Sequence, residues 1–218
     1  MRAVAALLVL LAGCASALAD EPRAQEGPAD AVVARLSAQV AVRGRFEQTR
    51  QLPGADNVLR ASGEFIFWRG HGVHWATETP LQRVLVYRHD ATLLAGVDGS
   101  SPQTVGGAAQ RQFRDVLLTV FSFDRDRLEA RFRPLWRFEG EAWTLTLEPR
   151  QKSLRRHLDR VEMWGAETLR GLRIHGRELL TLEFHDSATL PGVDAITCEE
   201  AFLYAAASCA EAYGDNAP

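Results

Sequence analysis

The stretch Gly63–Tyr87, GEFIFWRGHGVHWATETPLQRVLVY, decides the fold. Three β-type runs follow one another almost without a break. Gly63–Arg69 is aromatic and β-branched, and Gly72–Thr77 and Gln82–Tyr87 both alternate. Gly70 and Gly72 mark the first joint and Thr79-Pro80 the second. Side chains alternate across a strand, so Phe65, Phe67 and Arg69 share one face, and Val73, Trp75 and Thr77 share one face of the next strand. The pattern predicts an antiparallel meander with one apolar surface and a single arginine on it. Another sheet, a helix or a ligand must cover such a face. Which of these does so sets the function.

Outward from this stretch, the upstream chain predicts a helix from an Asp30 N-cap to about Val40, with Val32, Val33, Leu36 and Val40 on one stripe. A strand over Val42–Leu52 follows, anchored by Phe46 and turned by Pro53-Gly54. Downstream, the meander runs to about Leu94, and Asp98–Gly107 (DGSSPQTVGG) has the composition of a flexible loop. In Ala108–Phe121, the residues Phe113, Val116, Leu117, Val120 and Phe121 repeat at helical spacing between charges. A helix packed on a sheet and a lid over a cavity both fit that pattern. The second half predicts strands at Leu128–Phe132, Leu135–Glu139, Trp143–Pro149, Leu158–Trp164, Gly171–His175 and Leu179–His185. Trp143, Leu145 and Leu147 alternate with Thr144, Thr146 and Glu148, so that strand is half buried. The fold class is mainly β with two helices, a curved antiparallel sheet with helices on one side.

The chain has 218 residues, 46% hydrophobic and 24% charged, with a formal charge of −3. Those values describe one ordinary globular domain. They offer no basic footprint for nucleic acid or an anionic membrane. The N-terminal segment 1–19 reads as an export signal: Arg2, then an apolar run Ala3–Ala12 too short to span a bilayer. Ala17-Leu18-Ala19 would release a soluble periplasmic chain at Asp20, which is the favoured reading. Leu11-Ala12-Gly13-Cys14 is also a lipobox that would leave an outer-membrane lipoprotein anchored at Cys14. Residues 20–29 form a Pro- and Glu-containing linker. In an oxidising compartment Cys198 and Cys209 remain as an even pair. On one straight helix they would lie about 16 Å apart, whereas a disulfide needs Cα atoms within about 4.4–6.8 Å. Pairing therefore requires the tail to double back; two free thiols are the alternative.

No catalytic elbow, phosphate loop or dinucleotide fingerprint is present, and no cofactor or metal is expected. His71 and His74 are three apart and flanked by glycines, which suits turn histidines better than a metal pair. His89, His157, His175 and His185 are scattered singly, and Asp124, Asp126 and Glu129 fit a solvated turn. Arg69 has two readings: a rim arginine stacked on an aromatic, worth ~0.5–1 kcal/mol, or a guanidinium that holds a mobile lid.

The spacing Phe46-x-Gln48, a Gly-x-hydrophobic strand, Arg69, Trp75 and Pro80 resembles the LolA/LolB lipoprotein-carrier superfamily over roughly Asp30–Asp186. More weakly, Leu145-x-Leu147-x-Pro149 and the later strands fall in the same order. Gly70 stands where that family has proline, the family's aspartate-glycine and tryptophan are missing around Arg88–Leu94, and the tail beyond Gly192 has no counterpart. The resemblance implies an incomplete, half-open antiparallel β-barrel whose apolar cavity is covered by a helical lid. It implies a carrier domain over 30–190, a C-terminal tail over 191–218, and a monomer with no enzymatic activity. The cargo would be an acylated lipoprotein or another lipid, taken from an inner-membrane release complex and passed to an outer-membrane receptor. Phe46, Phe65, Phe67, Val73, Trp75, Leu85, Phe113 and Leu117 would line the lipid site, and Arg69 would bond the closed lid.

Physics favours such a carrier too. Exposing an acyl chain to water costs about 0.8 kcal/mol per CH₂, so a sixteen-carbon chain faces roughly 12 kcal/mol on leaving a bilayer. A hinged helix over an apolar sheet can offset that cost and still let go, and Asp98–Gly107 is the expected hinge. Three other readings share the fold: a lipid-anchored receptor, an envelope lipid-sensing module that controls a partner protein, and an enzyme. Export and the absence of a polar constellation argue against the last.

Overall fold

The computed structural model describes residues 27–55, 57–96, 102–191 and 195–203. The expected signal, Cys14, Cys209 and residues 20–26 of the linker lie outside the described residues, while residues 27–29, expected as linker, cap and open the first helix. Helix α1 (Pro28–Ser37) leads into β1 (Ala41–Gln51), β2 (Val58–Trp68), β3 (Gly72–Thr79), β4 (Arg83–Tyr87), β5 (Thr92–Ala95) and β6 (Gln103–Val105). Two helices follow, α2 (Ala108–Ser122) and α3 (Arg125–Arg131), then β7 (Phe132–Glu139) and β8 (Ala142–Pro149). A single turn, α4 (Lys152–Arg155), precedes β9 (Leu158–Gly165), β10 (Leu169–Gly176), β11 (Leu179–Leu190) and α5 (Ala195–Phe202).

The strands form one eleven-stranded antiparallel sheet in the order β6-β5-β4-β3-β2-β1-β11-β10-β9-β8-β7. The first strand pairs with the last, Phe46 opposite Phe184, which joins two meanders into a half-barrel that stays open between β6 and β7. Bulges supply curvature. Arg43 faces Ala188 while Arg45 already faces His185, and Asp186 there adopts φ 50°. Gly44 at this bulge lets the sheet fold onto itself: a Cβ on it would sit 2.8 Å from the Phe65 ring.

Alternation places one residue set on each face. On the concave side, Phe46, Phe65, Phe67, Val73, Trp75, Leu145, Leu147, Met163, Leu172, Leu182 and Phe184 merge with α1 and α2 into one core. Only in the first half is the convex side apolar as well, where Ala41, Trp68, Val84 and Val86 pack with Cys198, Ala201 and Phe202 of α5.

Several expectations are corrected. Leu128–Phe132 is mostly helix, not strand. Asp124 accepts from the Arg127 amide as the N-cap of α3, and Arg125 and Glu129 pair at i,i+4. Asp124, Asp126 and Glu129 therefore belong to a helix start rather than a turn. Asp30 is not the α1 cap either. Gly27 holds that position, Pro28 opens the helix, and the Asp30 carboxylate accepts from the Gly27 amide at 3.0 Å. The helix stops at Ser37, leaving Val40 45% exposed outside the stripe. Gln103–Val105 is a short strand on β5 rather than loop, and residues 98–101 of the expected hinge lie outside the described residues. Helices α3, α4 and α5 add to the two expected.

Candidate lipid-binding site

The concave face of β1–β4 and β11 is an aromatic floor. Phe46 stacks on Trp75 with centroids 3.9 Å apart, Phe65 lies 6.1 Å from Trp75, and Phe184 lies 5.1 Å from Phe65. Amphipathic helix α2 lies across it. Its Phe121 ring sits 5.7 Å from Phe65, 5.6 Å from Phe67 and 5.5 Å from Phe184, and Phe113 meets Tyr87 edge-on at 5.8 Å. The eight residues read from sequence as cavity-lining all join this one apolar cluster: Phe46, Phe65, Phe67, Val73, Trp75 and Leu117 buried, Leu85 and Phe113 at its margin. Burial raises the Tyr87 hydroxyl to about 12, so it stays neutral.

The lid is shut. Beside Phe65, Phe67, Phe121, Phe184 and Leu169 the free space is about 30 Å³. A second opening of about 20 Å³ lies under α1 and α3 against Trp136 and Leu147. Ligand pockets typically hold about 300–1,000 Å³. Neither of these two openings has room for an acyl chain, so a guest at this position would have to displace the apolar side of α2. Exposing Phe113, Val116, Leu117, Val120 and Phe121 would cost on the order of 10 kcal/mol at about 2 kcal/mol per side chain. That nearly matches what an acyl chain gains by burial.

Arg69 is the polar link that ties the sheet to both α1 and α2. At the end of β2 its backbone amide donates to Val40 O at 2.8 Å. Its Nη1 donates to Ser122 O at 2.6 Å, at the C-terminus of α2. Its Nη2 reaches Gln39 O at 3.2 Å and Leu36 O at 3.4 Å, where α1 ends. One cation thus clamps the negative dipole ends of both covering helices. The guanidinium also lies 5.9 Å over the Phe67 ring, so the stacking expected of a rim arginine coexists with the clamp. Burial pulls its pKa below the usual arginine value, against the pull of Asp124, and its buried Nε has no partner. A buried donor left unpaired destabilises the closed clamp.

The clamp closes on a joint. Phe123, with φ 45°, ends α2 in a left-handed turn and sends its ring against Trp143 at 6.0 Å. Asp124 then starts α3, whose Arg125 pairs with Asp30 of α1. Phe121 was read from sequence only as part of the helix stripe, and Phe123 and Phe184 were not singled out. The alternation Leu180, Leu182, Phe184 marks Phe184 as concave once β11 is paired with β1. Nothing local marks Phe123.

The histidines do other work. His71 stacks on Trp68 at 3.5 Å, and His74 bonds Ala201 O of α5 at 2.7 Å, on the opposite face from the lipid site. A carbonyl can only accept, so Nδ1 of His74 carries the proton. Among the described residues, Glu47, Glu183 and His185 could approach a metal ion, but all three are exposed on the convex surface. Cys198 is fully buried and disulfide-bonded.

No protein-family model matches the sequence, and no curated protein matches it. Solved structures match the chain at low identity. A LolA superfamily protein from Nitrosomonas europaea is 10% identical, covering 75% of this chain and 94% of that one with a TM-score of 0.42. A putative outer membrane lipoprotein-sorting protein domain from Vibrio parahaemolyticus is 10% identical, covering 78% and 94% with a TM-score of 0.43. The MucA/MucB complex structure of Pseudomonas aeruginosa matches at 16% identity, 79% of this chain and 60% of that chain, with a TM-score of 0.43. The fold described above is a half-open antiparallel β-barrel under a helical lid, the class expected from sequence.

Proposed function

We propose that this protein is a non-enzymatic carrier of acyl chains, borne by lipoproteins or a related lipid, which it shields while crossing the periplasm towards the outer membrane. The observation that carries the reading is the Arg69 clamp across the C-termini of α1 and α2. A core built only for stability gains little from a half-buried cation with an unpaired Nε. A lid that must open gains a polar contact that water replaces at small net cost. Guest entry would lift α2 from the floor formed by Phe46, Phe65, Phe67, Val73, Trp75 and Leu85. Phe123 would remain in place as the pivot, and Phe113 and Leu117 would pack against the chain. An inner-membrane release complex would load the carrier and an outer-membrane receptor would unload it.

The test replaces Arg69 by Leu and follows transfer of a palmitoylated peptide from loaded carrier to vesicles. The expected result is a folded variant that retains its guest or fails to deliver it; transfer at the wild-type rate would defeat the gating role. Mass spectrometry of organic extracts from periplasmically purified protein should show an acylated species. Labelling with a radioactive fatty acid in wild type and Cys14→Ser separates a soluble carrier from a tethered receptor.

A further inference from the structure

A formal charge of −3 hides an uneven distribution. Strand polarity sends the β1–β2, β3–β4, β8–β9 and β10–β11 connections to the same end of the half-barrel. Of the seven large hydrophobics exposed among the described residues, four lie there: Leu52 at 38%, Val58 at 40%, Leu59 at 52% and Leu81 at 71%. The β8–β9 connection at this end reads RQKSLRRH, Arg150 to His157. Buried Leu154 pins it; Lys152, Arg155 and Arg156 are exposed, and Arg150, also exposed, donates its Nε to Phe132 O at 2.8 Å. Arg177 in the β10–β11 turn and Arg83 at the start of β4 are exposed as well. Among the described residues none of these six cations has a carboxylate partner. Glu148 and Asp159 are nearby acids, while Glu178 and Glu78 are held by Arg50 and Arg45. The opposite end carries Glu139, Glu141 and Glu167, and there the exposed Arg43, Arg137 and Arg170 balance them in number.

We propose that this cationic, leucine-bearing rim docks on the surface of an anionic phospholipid bilayer. Charge complementarity names the partner. Each lysine or arginine near an anionic leaflet contributes about 1 kcal/mol, and a few inserted aliphatic side chains add a second, short-range signal. The spacing suits a plane rather than a pocket: four strand separations of ~4.8 Å put α4 roughly 19 Å from the β1–β2 hairpin. Single-stranded nucleic acid fits less well, since the exposed apolar residues here are aliphatic and offer bases no stacking surface. Docking by this rim would bring the mouth of the concave face, where Leu59 sits opposite Arg50, down to the lipid. That purpose rests on the carrier reading, but the docking itself does not.

The test is co-sedimentation of the whole chain with vesicles of phosphatidylcholine alone or mixed with phosphatidylglycerol. Binding is expected to the mixed vesicles and not the neutral ones, weakening steeply as salt rises. Lys152→Glu, Arg155→Glu and Arg156→Glu together should lower it at least about tenfold with an unchanged melting temperature. Leu59→Ser with Leu81→Ser should lower it several-fold and leave its salt dependence intact. Glu139→Gln, Glu141→Gln and Glu167→Gln should change nothing. Equal binding to both vesicle types, wild-type binding by the charge-reversed variant, or preferential capture by single-stranded DNA would each overturn the proposal. Loss of the rim effect alongside guest retention by Arg69→Leu would remove the docking surface and leave the carrier; the reverse pair would do the opposite.

Discussion

Helices α2 and α5 cover the same strands from opposite faces, and they are held in different ways. On the concave side, α2 contributes Leu117 and Phe121 to the aromatic floor and is tied by Arg69 to Ser122 O. On the convex side, α5 buries Cys198 and Phe202 completely against Trp68, Val84 and Val86. Its C-terminal carbonyls accept from His74 at 2.7 Å and from Arg88 at 3.2 Å, and Cys198 is disulfide-bonded. Both helices use donors from the sheet on their last carbonyls, where the dipole favours positive charge. Only α5 adds a covalent bond. On the proposed carrier reading, the β1–β5 half of the sheet is apolar on both faces because one face is sealed by α5 and the other is covered by an exchangeable helix.

That contrast can be broken by unequal substitutions. Phe202→Ala should destabilise the whole protein by about 3–5 kcal/mol, read as a large fall in the denaturation midpoint with an unchanged slope. A loss under about 1 kcal/mol would mean that α5 is not a permanent seal. Reduction, or Cys198→Ser, should cost about 2–4 kcal/mol; we propose Cys209 as the partner, and peptide mapping of unreduced protein should recover the two together.

Arg69→Leu should change global stability by only about 1 kcal/mol, since lost charge-assisted bonds are offset by a relieved desolvation cost. Amide exchange should nevertheless quicken in α2 while α5 keeps its protection. Equal changes in both helices would erase the distinction.

The smallest effect is titrational. Burial holds the His74 pKa below its ordinary 6.5, against the bond to Ala201 O and the charge of Glu64. A histidine depressed in the folded state binds more protons unfolded, so its contribution is complete above about 6.5 and is lost progressively as pH falls below that value. His71, also lowered by burial, has the same sign. His74→Gln should flatten the dependence of stability on pH in that range and leave guest release untouched.

Much of the concave half was legible because strand alternation states which residues share a face. Phe65, Phe67, Val73 and Trp75 needed only their spacing, and Arg69 stood out as the lone charge beside them. Short, weakly periodic segments were not legible. With Leu128 as the only buried residue in seven, α3 carries no helical stripe, and its signal is the Asp124 cap and the Arg125–Glu129 pair. The seal by α5 was hidden because it depends on contacts across 127 residues, as between His74 and Ala201. The basic rim was hidden for a related reason: Arg83, Lys152 and Arg177 fall at one end of the half-barrel only when the strand order is known.

The distance between α2 and the sheet tests the central claim most directly. Spin labels placed at Arg111 on α2 and Thr144 on β8, both exposed, should give one short, narrow distribution in the empty protein. Adding a palmitoylated peptide should shift the pair to a longer, broader distribution, with Arg69→Leu altering the balance between the two states. Tight binding of the peptide with the distance unchanged would contradict the account, because the guest would then sit somewhere other than under the lid.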